Sequence, residues 1–197
     1  TRDDGLQAAF DKLAAEHGRV DVVVANAGIN GVWAPIEELP PSEFDKTIAV
    51  NLKGTFLTIR AAVPHLKRAG GGSIVVISSI NGTRTFTSPG ATAYSATKAA
   101  QLAMVQQLAP ELGQHRIRIN AICPGAIDTE IDDNTDIRHP EKSGVRAEWP
   151  EGSVPLTDGK PGTSAQVANV IAFLASNQSD HITGSPIWVD GGQSLLR

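Results

Sequence analysis

The chain has 197 residues, 17 of them basic and 21 acidic, for a formal charge of −4, and 41% of it is apolar. That length suits one domain with a core large enough to need no disulfide, and the single Cys123 rules out an internal one. No Lys/Arg run makes a basic stripe and no apolar stretch approaches ~18 residues, so neither a nucleic-acid partner nor a membrane span is expected.

Residues 4 to 17 read as an amphipathic helix with Leu6, Phe10 and Leu13 on one face, stopped at Gly18. Val20 to Ala25 is an almost continuously apolar run, which predicts a strand buried on both faces. Residues 26 to 40 carry Gly and Pro punctuation and read as a loop. Residues 42 to 67 read as one long helix opening with the capping signal Ser42 before Glu43 and ended by Gly70-Gly71-Gly72. Ser73 to Ser78 is a second buried strand, followed by a polar loop to about Thr92 and a small-residue-rich helix to about Leu112. Arg116 to Ile122 is a third strand. Residues 124 to 162 show no strong periodicity, 164 to 176 form a helix, and Ile187 to Val189 a last strand. Strands alternating with helices predict an α/β fold with a doubly wound parallel sheet, ligands binding beyond the carboxyl ends of its strands.

Chemistry-bearing residues follow those strand ends. Asn26-Ala27-Gly28 follows the first strand, and a glycine there lets backbone pass close to a ligand. Ser78 and Ser79 follow the second, with Asn81-Gly82 just beyond. Tyr94 and Lys98 are four apart on a helix, so phenol and ammonium share a face. A tyrosine titrates near ~10 when unperturbed, and a neighbouring positive charge favours its phenolate, which suits general acid/base work. Tyr94 is the only tyrosine in the chain. Pro124, Gly125, Ile127 and Thr129 follow the third strand, and Asp190-Gly191-Gly192 follows the last and reads as a structural turn. Taken singly, each also fits a plain turn, a polar loop or a chance surface pair. Cys123 reads as a small core residue. His17, His65, His115, His139 and His181 lack metal-ligand spacing and read mostly as solvated surface, so no metal is assigned.

Taken in order, however, these features are specific. The series strand-Asn-Ala-Gly, helix with Asn51, strand-Ser-Ser, Tyr-x-x-x-Lys, strand-Pro-Gly, Asp-Gly-Gly resembles the classical short-chain dehydrogenase/reductases from about Leu6 to Leu196. The resemblance implies a Rossmann-like fold and an NAD- or NADP-dependent oxidoreductase interconverting an alcohol and a ketone or aldehyde. By the same resemblance, Asn26, Ala27 and Gly28 border the cofactor's adenosine side. Asn51 is the asparagine whose backbone holds a relay water, and Ser79 polarises the substrate oxygen. Tyr94 is the acid/base, Lys98 binds the nicotinamide ribose, and Pro124, Gly125, Ile127 and Thr129 hold the carboxamide. The family's Ser-x-x-Gly pattern selects Ser79 over Asn81, although gap length alone would select Asn81. The extra residues then fall around Thr85 to Pro89, where loop length is cheaply absorbed. Residues 130 to 162 match a substrate-binding loop in which Trp149, Ile131 and Val145 are candidate pocket residues. Helices 42 to 67 and 93 to 109 resemble a dimerisation pair, and Trp188 to Leu196 a tetramer contact, so a homo-oligomer is expected.

Two further expectations concern what lies outside the chain. A central-type strand at residues 20 to 25 with a single helix before it, and no Gly-rich phosphate fingerprint upstream of Asn26, predict that two βα units of roughly 30 residues each precede Thr1. The residue choosing NAD or NADP is expected in that part. Residues 1 to 197 are therefore read as one N-terminally incomplete domain. The alternative reading is a non-catalytic truncated member that keeps oligomer surfaces without cofactor binding. The lone cysteine and the absence of a signal peptide fit a reducing, cytoplasmic setting.

Overall fold

A computed structural model describes residues 3–131, 135–144 and 154–196. Helix α1 (Asp3–His17) leads into strand β1 (Val22–Ala25), a short strand β2 (Gly31–Trp33) and helix α2 (Pro41–Thr47). A π-helical turn (Ile48–Lys53) joins α2 to α3 (Gly54–Arg68). Then come β3 (Gly72–Ile77), α4 (Thr92–Gly113), β4 (Ile117–Pro124), β5 (Ile127–Asp128), β6 (Thr135–Ile137) and α5 (Pro140–Ser143). Strand β7 (Gly162–Thr163), helix α6 (Ser164–Ala175) and β8 (Pro186–Val189) complete the described α-helices and strands.

The main sheet has the order β1-β3-β4-β8 and every pairing in it is parallel. Alternate side chains point to opposite faces of a strand, so β3 and β4 serve two cores at once. Ile74, Val76, Ile119 and Ala121 pack with Ile59, Leu66, Val105 and Leu112 of α3 and α4 on one face. Val75 and Ile122 pack with Leu174 and Val170 of α6 on the other. This is the expected doubly covered α/β architecture.

The long predicted helix is two helices with a π turn between them. Its first helix starts at Pro41 after Pro40, without the side-chain cap expected of Ser42. Proline needs no N–H in a helix's first turn, which explains the earlier start. By contrast, Thr163 and Gln166 form a full capping box on α6. Strand β1 also differs from expectation. Val23 and Ala25 are buried, but Val22 and Val24 are 40% and 39% exposed. Helix α6 packs on β3 and β4, and β1 stands at the sheet edge outside its cover. On α1, Phe10 meets the core while Leu13 stays exposed. Four of the five histidines are exposed, but His65 is buried, its ring 5.9 Å from that of Phe10.

Candidate active site

Strands β1, β3 and β4 are parallel, so the segments leaving their carboxyl ends come together at one edge of the sheet. The Ile80 N–H donates to the Pro124 carbonyl at 2.9 Å, joining the segments after β3 and β4. Ser78 Oγ donates to the Lys98 carbonyl at 2.8 Å, tying the end of β3 to α4.

Asn51 sits fully buried inside the π turn. Its Nδ2 donates to the Ile29 carbonyl at 2.8 Å and its Oδ1 accepts from the Ile29 N–H at 2.8 Å. The amide thus clamps the backbone just after Gly28. A second branch runs from Nδ2 to Thr97 Oγ1 at 3.2 Å, and Thr97 Oγ1 donates to the Tyr94 carbonyl at 2.7 Å. The Asn51 carbonyl accepts from Gln101 Nε2 at 2.9 Å and Thr55 Oγ1 at 2.7 Å. The carbonyl that the resemblance assigns to a relay water thus accepts from two side chains of this chain.

Lys98 is buried, its Nζ donating to the Ile77 carbonyl at 2.9 Å and lying 5.4 Å from the centre of the Tyr94 ring. Burial pushes its ammonium down from its ordinary value to about 8, against a smaller upward pull from Cys123. Tyr94, Thr97, Lys98 and Gln101 all lie on the buried face of α4. A Cβ on Gly28 would lie 3.3 Å from Asn51 Oδ1 and 3.6 Å from Lys98 Nζ. The missing side chain keeps the backbone of 26–28 against the amide and the ammonium. A ribose diol would find a buried cation beside bare backbone at this point, so Gly28 and Lys98 fit the nicotinamide half of a dinucleotide, whereas the resemblance implied the adenosine side for Gly28.

Ser79 is buried at the end of β3, its Oγ accepting from the Asn81 N–H at 3.1 Å. Asn81 itself spends its Oδ1 on Ser88 Oγ at 3.0 Å, within the loop. The added length of that loop carries Phe86 out into solvent. Arg84 stacks its guanidinium 3.4 Å from the ring centre of Trp188, tying the loop to β8.

Beyond β4, the Gly125 N–H donates to the Val189 carbonyl at 3.1 Å and the Ala126 N–H to Gln193 Oε1 at 2.7 Å. Asp190 accepts from the Gly192 and Ser194 N–H groups, which makes Asp190-Gly191-Gly192 the expected structural turn. Strand β5 pairs with β7, so the excursion after Asp128 leaves and returns at one point. Ile127 begins it half-buried, Thr129 is exposed and Ile131 is half-buried. Trp149 and Val145 lie outside the described residues. Buried Cys123 lies under the site, and burial raises its thiol. Among the described residues no group of three His, Cys, Asp or Glu side chains is placed to hold a metal, and no helix is long and apolar enough to cross a membrane.

Three residues at this site were not among the expected ones. Thr97 and Gln101 stand three and seven positions after Tyr94, a helical spacing that places them on its face. Trp33 sits in the segment expected to be plain loop, with its ring 6.1 Å from that of Tyr94.

Residues 1–194 match the family model described as enoyl-(acyl carrier protein) reductase. The chain is 34% identical over 198 residues to the 2-(R)-hydroxypropyl-CoM dehydrogenase of Xanthobacter autotrophicus, covering 98% of this chain and 75% of that protein. Its structure superposes with a TM-score of 0.95 on a 3-ketoacyl-ACP reductase from Sinorhizobium meliloti, at 63% identity over 100% of this chain and 77% of that one. A 3-ketoacyl-(acyl-carrier-protein) reductase from Brucella melitensis, solved with NADH, superposes with a TM-score of 0.84 at 30% identity over 98% of this chain and 75% of that one.

Proposed function

The chain belongs to the short-chain dehydrogenase/reductase family and is an NAD(P)-dependent oxidoreductase, and from that premise we propose that Tyr94 is its acid/base, served by Lys98, Ser79 and Asn51, on a small alcohol or carbonyl substrate. One observation carries the assignment: Lys98 Nζ lies 5.4 Å from the centre of the Tyr94 ring and 3.6 Å from where a Cβ on Gly28 would stand, with Asn51 bonded to Ile29 on one side and Thr97 on the other. Bound nicotinamide supplies the hydride to the substrate carbon in reduction and takes it in oxidation.

The chain's own residues handle the oxygen. In reduction Tyr94 gives its phenolic proton to the oxygen as the C=O becomes C–OH, and in oxidation its phenolate takes that proton back. The Lys98 ammonium favours the phenolate through its charge. Ser79 orients the substrate oxygen from the end of β3. Asn51 acts on both sides at once, through Ile29 and through Thr97. Asn26, Ala27 and Gly28 with Lys98 hold one side of the cofactor, and Pro124, Gly125, Ile127 and Thr129 the other. A cytoplasmic setting fits a chain with one buried cysteine.

We also infer a homo-oligomer. Helices α3 and α4 leave between them a groove of about 350 Å³ whose lining is mostly apolar, Phe56, Val63, Met104 and Leu108 among it, with Arg60 and Glu111 also on it. Phe56 stands 49% exposed on it. A second copy presenting the same helices buries this face in a two-fold dimer. Leu195, 68% exposed, marks the C-terminal segment as a second contact.

The test of the activity is a fluorescence titration of the protein, as encoded, with NADH and NADPH, combined with Tyr94→Phe. Saturable binding kept in the variant, with turnover down by at least ~10²-fold, supports the assignment. Full turnover in Tyr94→Phe overturns it, and no binding of either nucleotide favours the non-catalytic alternative.

A further inference from the structure

Strand β2 pairs with β6 in parallel, a two-stranded sheet apart from the main one, and Trp33 is in register with Ile137. Residues directly opposite across a pair share a face, so the indole and the isoleucine are neighbours. Ile137 is 54% exposed and Trp33 half-buried, while Trp33 also approaches the Tyr94 ring at 6.1 Å. An apolar strip therefore begins at the phenol and runs outward.

The strip is fixed in place. Trp33 Nε1 donates to the Asn30 carbonyl at 3.2 Å, and the Trp33 carbonyl accepts from the Arg138 N–H at 2.8 Å. Asn30 Nδ2 donates to Thr135 Oγ1 at 2.7 Å. A surface held in its binding conformation loses little entropy when a ligand arrives.

The charges beside it are already spoken for. In the described segment 135–144 the basic residues are Arg138, His139 and Lys142. Arg138 pairs with Asp136, Lys142 with Glu38, and His139 lies near Glu38 and Glu141. An anionic group lying on this strip would compete with the carboxylates that these cations already face.

We propose that Trp33 and Ile137 form the substrate wall beside Tyr94, and that it takes the uncharged, apolar body of a ketone or secondary alcohol. The proposal rests on Tyr94 being the acid/base. The indole covers one side of the reacting carbon's larger substituent, and Ile137 extends that cover outward.

The experiment measures kcat/KM, with NADH and with NADPH, for methyl ketones from butanone to octanone and for keto acids of matching length. Wild type, Trp33→Ala, Trp33→Phe and Ile137→Ala are compared. In wild type the value rises up to about fourfold per methylene while the chain stays on the strip. Matching keto acids fall at least tenfold below. Trp33→Ala removes most of the rise, Trp33→Phe keeps most of it, and Ile137→Ala, a change at an exposed position, shortens the range over which it holds. An unchanged rise in both alanine variants, a preference for keto acids, or no turnover of any methyl ketone overturns the proposal. Turnover of keto acids that vanishes in Tyr94→Phe sinks the apolar wall and leaves the acid/base reading standing. Turnover that survives Tyr94→Phe sinks that reading instead.

Discussion

Gln101 Nε2 donates to the carbonyl of Asn51 across 2.9 Å, joining the helix that carries Tyr94 to the π turn that carries Asn51. One turn earlier on the same helix, Thr97 takes the Asn51 side-chain amide. Asn51 is thus held from two positions on α4, and through Ile29 it holds the loop after β1. Replacing Gln101 by leucine keeps the volume and removes the donor. The expected result is a loss of about 1–3 kcal/mol in denaturant stability, as a buried hydrogen-bonding group loses its partner. The kcat falls about ten- to a hundredfold with little change in KM, because the reacting groups shift by a fraction of an ångström while the substrate surface stays intact. A stability loss with kcat unchanged would make Gln101 a packing residue only.

Lys98 gives a pH dependence with a definite sign. Burial holds its ammonium down to about 8, below the ~10.4 of an unfolded chain. As pH rises, the folded state releases this proton before the unfolded state does, so stability climbs between the two values. Below about 8 the cost of the buried charge, roughly 3 kcal/mol, is present in full. Lys98→Met is expected to raise Tm at neutral pH, flatten the climb above pH ~8, and weaken nucleotide binding. Thermal melts across that range, beside a nucleotide titration, check all three. A variant that melts lower than wild type at neutral pH contradicts the burial argument.

Gly82 lies where the serine loop crosses the start of α4. Its φ is +79°, and a Cβ there would fall 2.1 Å from the Ser95 carbonyl oxygen. Gly82→Ala must shift backbone against backbone, with left-handed strain added. The expected cost is about 2–4 kcal/mol, read by chemical denaturation, with Tyr94 and Ser79 displaced relative to each other and activity lost. Gly18→Ala is the control: its φ is also +79° but a Cβ there meets nothing within 4 Å, so it pays the strain alone.

Phe56 tests the groove between α3 and α4. Phe56→Glu removes the exposed aromatic from the largely apolar face proposed to join two copies and places there a carboxylate that is costly to bury. Sedimentation velocity is expected to show a smaller species than wild type, with the far-ultraviolet circular dichroism unchanged. Identical sedimentation of the two proteins would remove this face from the oligomer.

Much of this was legible in the chain itself. The apolar centre of the run at 73–78 pointed to a buried strand of a covered parallel sheet, and the stretch at 116–122 to a third strand beside it. Tyr94 and Lys98 share a helix, so their common face followed from spacing alone. The turn at Asp190 followed from its glycines. What stayed hidden depended on partners distant in sequence. The π turn shows no distinct period, and it is braced by Gln101, fifty residues from Asn51. Trp33 read as loop because a three-residue strand is too short to display alternation, and its partner β6 lies about a hundred residues on.

The reaction chemistry proposed for Tyr94 and Lys98 was therefore written locally, in the order of strand ends and in the spacing of that pair, because residue type and helical spacing suffice to express it. Tertiary structure decided the environment of that chemistry. It brought two side-chain donors, Thr55 and Gln101, to the Asn51 carbonyl. It stripped water from the Lys98 ammonium, and it stood the Trp33 indole beside the phenol. Each of these is a matter of burial and of contacts between distant segments, which no local pattern encodes.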